Sequence, residues 1–66
     1  MNIDKLKNYV AYFELCYMRT NVNDAKARNV QDIEGLLRND LIDQELAEAL
    51  TVINDSMARV AGKRRI

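Results

Sequence analysis

Enzymatic chemistry needs side chains that can move protons, attack an electrophile or hold a metal, and this 66-residue chain has few of them. It has no histidine, and its one thiol is Cys16. A hydroxyl or thiol nucleophile depends on a neighbouring base, most often an imidazole, and the sequence supplies none. Cys16 also sits on the main apolar stripe of its segment, which it widens, and there a thiol acts as a small inert hydrophobe. A zinc site of the usual ligand set is out of reach without histidine or a second cysteine. Gly35 and Gly62 stand alone, so no phosphate-cradling glycine loop is formed. Asp40, Asp43, Glu45 and Glu48 are dense but lack the spacing of a calcium loop. Acids at that point also suit the positive end of a starting helix. The expectation is a non-enzymatic chain without metal or cofactor, one that works by binding.

Two groups of residues could carry binding. All four aromatics, Tyr9, Tyr12, Phe13 and Tyr17, lie in one short segment. Tyrosine buries a large area while keeping a polar tip, a combination suited to protein interfaces. Tyr9 and Tyr12, with Leu15 and Met18 on a second side of that segment and Leu50 and Met57 further on, are the expected protein interface. Lys5, Tyr12 and Arg19 are spaced seven apart and share a helical face. With Lys63, Arg64 and Arg65 they form an alternative, a basic and aromatic surface for nucleic acid. Phe13 and Tyr17 read as core, and three terminal bases would give only weak, salt-sensitive affinity for phosphates.

These residues must be held by a very small fold. A chain of this length buries only about 60% of the surface its unfolded form exposes. Small scaffolds add disulfides, metals or self-association. With the first two excluded by composition, homodimerisation is the expected support. Net charge is zero but uneven. Residues 1–28 carry five bases against three acids, residues 29–58 one base against seven acids, and residues 59–66 four bases. Basic ends and an acidic middle favour antiparallel pairing of copies. Met1-Asn2-Ile3-Asp4-Lys5 shows no basic segment leading into an apolar one. No apolar run reaches the roughly 18 residues of a membrane span. An unpaired cysteine suits a reducing compartment, so a cytoplasmic location is expected.

With no proline and two glycines, apolar spacing is helical throughout. The spacing predicts an all-α fold, a short helical hairpin or three-helix bundle, in a single domain over residues 1–62. The first helix is expected over 3–19, capped by Asn2 or Asp4, with Ile3, Leu6, Val10, Phe13 and Tyr17 on its stripe. The second is expected over 24–38, capped by Asn23 or Asp24, with Val30, Ile33, Leu37 and Leu41 facing inward and Leu36 beside them. The third is expected over 43–61, capped by Asp43, with Ile42 packing back as a staple and a seam of Leu46, Leu50, Ile53, Met57 and Val60. Helical continuity through Asn39–Ile42 would instead fuse the last two helices. Gly62 is the expected stop, leaving residues 63–66 as a basic tail.

Gln44-Glu45-Leu46 is similar to three residues of the Gln-Glu-Leu-Asp signature of small helical-hairpin phosphatases. Ala47 replaces the aspartate, and no function is carried over. The leading expectation is a small protein-binding regulator, an inhibitor or adaptor of the kind phages and mobile elements encode. Its expected partners are a second copy of itself and a larger protein. The alternative is a nucleic-acid-associated regulator.

Overall fold

The computed structural model describes the backbone of residues 1–64 and the side chains of residues 1–63. Three helices, α1 (Ile3–Arg19), α2 (Val22–Arg38) and α3 (Gln44–Arg64), form an up-down-up bundle measuring 37 × 19 × 16 Å. The helices start where polar side chains can take up free backbone N–H groups. Asn2 Oδ1 accepts from the Lys5 N–H at 3.1 Å. Asp43 Oδ1 accepts from the Leu46 N–H at 2.8 Å, and Ile42 is buried in one cluster with Leu46 and Ala47, as a staple requires.

At α2 the cap is Asn21 in place of Asn23 or Asp24, and the helix begins at Val22, two residues before the expected start. Asn21 Oδ1 accepts from the Asp24 N–H at 2.8 Å, and its Nδ2 donates to the Asp24 carboxylate at 2.8 Å. This reciprocal pair offsets the low helix propensity of Val22 and Asn23. Val22 then packs against the cluster of Tyr17, Ala25 and Ala58.

The last two helices are separate. Asp40 adopts a left-handed backbone with φ of 58°. The Leu41 N–H bonds the Leu36 carbonyl at 2.9 Å, and the Asp40 N–H bonds the Leu37 carbonyl at 3.1 Å. These two bonds make a Schellman motif, which satisfies the last carbonyls of α2 and turns the chain. The expected stop at Gly62 is not observed, because no glycine takes a positive φ and α3 runs on to Arg64. Lys63 is therefore helical and does not begin a tail; Arg65 and Ile66 lie outside the described residues.

Phe13 and Leu50 are fully buried at the centre, joined by Ile33, Ile42, Leu46 and Ala47. Leu6, Tyr9, Val10, Leu36, Leu37 and Met57 pack around them. The inward rows differ from the expected stripes in one consistent way. On α2 the buried row is Ala25, Asn29 and Ile33, and Val30 is only half-buried. On α3 it is Leu46, Leu50, Asn54 and Ala58, while Ile53 and Met57 are half-buried and Val60 is exposed. Each row advances by four, the ridge spacing along which helices commonly interlock.

Asp40 fills a position that glycine occupies at lower steric cost. Asp40→Gly should raise the unfolding free energy by about 0.5–1 kcal/mol, and Asp40→Val should lower it by about 1–2 kcal/mol. Urea denaturation followed by circular dichroism checks both.

Candidate functional site

The two buried asparagines meet one tyrosine where the three helices converge. The Tyr17 hydroxyl of α1 donates to Asn54 Oδ1 of α3, with the Asn54 backbone carbonyl also within 3.1 Å. Asn29 Nδ2 of α2 donates to the same Asn54 Oδ1 at 3.1 Å, and Asn54 Nδ2 donates to the Lys26 carbonyl at 3.3 Å. Both asparagines are fully buried. Among the described residues Asn29 Oδ1 meets no hydrogen-bond donor, an uncompensated burial that costs stability. Burial pushes the Tyr17 hydroxyl above its ordinary pKa, the neighbouring Asn29 amide opposes the shift, and Asp55 and Cys16 add to it. A raised pKa means that the folded chain holds this proton more tightly than the unfolded chain. The associated stability is intact below about pH 10 and is lost as pH rises through the folded-state value.

Two of the apolar grooves on the bundle surface border α1. One, about 480 Å³, lies between α1 and α2 and is lined by Tyr9, Tyr12, Phe13, Leu36, Leu41 and Gly35, with Asn8, Asp32 and Asn39 supplying polar groups. Tyr12 and Leu41 are each about half exposed at its edges, and the Tyr12 ring is tilted against Phe13 with centroids 6.1 Å apart. A Cβ built on Gly35 would meet nothing within 4 Å, so the glycine is not required by close packing. The other groove, about 460 Å³, lies between α1 and α3, where Tyr17, Met18, Ile53, Met57, Val60 and Ala61 line it beside Glu14 and Ser56. Met18 is 76% exposed there, the most open large apolar side chain among the described residues.

These grooves sort the expected interface residues. Tyr9 and Tyr12 belong to the α1/α2 groove, Met18 and Met57 to the α1/α3 groove, and Leu15 is exposed on the outer side of α1. Leu50 is a correction: it is fully buried against Phe13 and reaches no surface. Of the residues considered for nucleic acid, Lys5 donates its Nζ to the Leu41 carbonyl at 2.9 Å, tying α1 to the α2–α3 connection. Tyr12 lies in a groove, while Arg19 and Lys63 are exposed near the other end of the bundle. The side chain of Arg64, and Arg65 altogether, fall outside the described residues.

Cys16 is half-buried and packs against the Tyr17, Ala25 and Ala58 cluster. Among the described residues there is no cluster of three potential metal ligands, and no helix is long and apolar enough to cross a membrane. Comparison with protein families, curated proteins and solved structures finds no match to this chain.

Tyr17→Phe should remove a component of the alkaline loss of stability. The difference in unfolding free energy between wild type and variant should be constant up to about pH 9 and shrink above about pH 10. Asn54→Ala strips the Tyr17 hydroxyl, the Asn29 amide and the Lys26 carbonyl of a shared partner, and should cost about 2–4 kcal/mol. Denaturant titrations at a series of pH values measure both effects.

Proposed function

We propose that this chain is a small protein-binding regulator, an adaptor or inhibitor that docks on a larger protein through the groove between α1 and α2. The supporting observation is the half-exposed Tyr12 and Leu41 flanking an apolar recess with polar groups around it. Such a recess accepts one apolar anchor from a partner helix or loop, with a polar or basic neighbour reaching Asp32. Gly35 supports the same reading. Glycine inside a helix costs roughly 1 kcal/mol relative to alanine, and here no close approach calls for it. Leaving that stretch of the groove wall bare keeps the recess open.

The reading also includes self-association, supported by the exposed Ile3, Leu15 and Met18 of α1 and Val60 of α3. These lie away from the α1/α2 groove, so one copy can offer both surfaces. Nucleic-acid binding through Lys5, Tyr12 and Arg19 has weaker support, because Lys5 is engaged with a backbone carbonyl and Tyr12 lies in a groove.

The test uses the chain as bait in lysate of its host and compares variants. Tyr12→Ala should weaken capture of the principal partner about tenfold or more, the scale of an aromatic anchor. Gly35→Gln should do the same by filling the recess, whereas Gly35→Ala should stabilise the fold by up to about 1 kcal/mol. Equal capture by wild type, Tyr12→Ala and Gly35→Gln would reject the groove as the docking site. Salt-sensitive binding of duplex or single strands, lost on removing residues 63–66, would favour nucleic acid instead.

A further inference from the structure

We infer that the outer face of α1 pairs antiparallel with the same face of a second copy of this chain, about a two-fold axis at the level of Val10 and Ala11. The inference rests on the self-association reading and specifies its geometry.

Ile3, Lys7, Ala11, Glu14 and Met18 recur at spacings of three and four along α1 and are all exposed. They lie away from the side that carries Phe13 into the core. A two-fold axis perpendicular to a helix sets residues at equal distances on either side of it across from one another. With the axis midway between Lys7 and Glu14, Lys7 faces Glu14 of the second copy and Glu14 faces its Lys7. Met18 then faces Ile3, and Ala11, next to the axis, lets the two backbones approach at the crossing. Neither Lys7 nor Glu14 has an ion-pair partner within its own chain among the described residues. They are also about 10 Å apart along their helix, too far to pair with each other. The same stripe is therefore self-complementary in charge when reversed and repelling when parallel, since a parallel pairing would set Lys7 on Lys7.

This pairing also supplies an occupant for the α1/α3 groove. Met18, Ile53, Met57 and Val60 line that groove at the carboxy-terminal end of α1. Antiparallel pairing brings the amino-terminal end of the second α1 to that position, where Ile3, 54% exposed in the single chain, can enter. The two-fold fills this groove on both copies at once. The groove between α1 and α2, on the other side of α1, remains open to a different partner.

Sedimentation equilibrium tests the arrangement. Wild type should be dimeric at roughly 100 μM, and Lys7→Glu and Glu14→Lys should each weaken the dimer about threefold to tenfold. The double variant Lys7→Glu/Glu14→Lys should recover it, since reversing both signs restores the pairing. Ala11→Cys in a Cys16→Ser background should form an intermolecular disulfide under mild oxidation. A monomeric wild type would overturn the self-association reading and this geometry with it. A wild-type dimer unaffected by the single charge changes, with no disulfide formed by the Ala11→Cys variant, would leave self-association standing and overturn the antiparallel α1 arrangement.

Discussion

Asn54 Oδ1 accepts from the tyrosine of α1 and the asparagine of α2 while its own amide reaches back to the Lys26 carbonyl, so one side chain joins all three helices. In an apolar interior such groups must find partners, and leaving any of them unmet costs more than a lost contact between apolar groups. This requirement determines how α3 is rotated. Consecutive helical residues point about 100° apart, so Asn54 and Ile53 cannot both face the centre. Apolar packing alone would tolerate an inward Ile53, Met57 and Val60. Directing Asn54 to Tyr17 and Asn29 turns those three residues toward the flank of α1, where they line a groove with Met18. The surface thus inherits its apolar face from a polar choice in the core. Buried polar groups that select one arrangement among several near-equal packings are known from coiled coils, where a single asparagine can specify register.

Much of the bundle is legible from residue types. The span of α1, its Asn2 cap, the Asp43 cap and the Ile42 staple all follow from local chemistry that acts within one helical turn. The inward rows of α2 and α3 are only partly legible, because apolar periodicity counts only apolar residues. Asn29 and Asn54 each stand one position from an apolar residue, Val30 and Ile53, that fits a stripe equally well. Their burial depends on partners 25 residues and more away in the chain, information that no local window holds. One signal does exist: an asparagine at a spacing of four from Ala25 and Ile33, and another from Leu50 and Ala58, completes a row of small and apolar residues. Asn39 and Asp40 mark the end of α2 by type, yet the mechanism of the stop, a left-handed aspartate, lies in backbone geometry. Gly62 is the converse case. A glycine permits a stop without compelling one, and the helix continues.

The apolar surface residues divide in a similar way. Tyr12, Leu15 and Met18 are identifiable as outward or flanking because α1 has apolar groups on two sides, more than one core can use. Which neighbour each one meets is set by the bundle: Tyr12 goes with α2 and Met18 with α3. The two faces have separate roles in the proposed function, one toward a second copy and one toward a larger protein. The proposed pairing of copies relies on α3 being held in its observed rotation, because Ile53, Met57 and Val60 line the α1/α3 groove only when they are turned outward.

The side-chain amide protons of Asn29 and Asn54 report on that rotation most directly. In nitrogen-15-edited NMR spectra of the folded chain, a core held by Asn54 should give cross-peaks from its amide to the Tyr17 ring and slow exchange of both amides with water. Fast exchange at the rate of a free asparagine side chain, with no cross-peak to Tyr17, would contradict it.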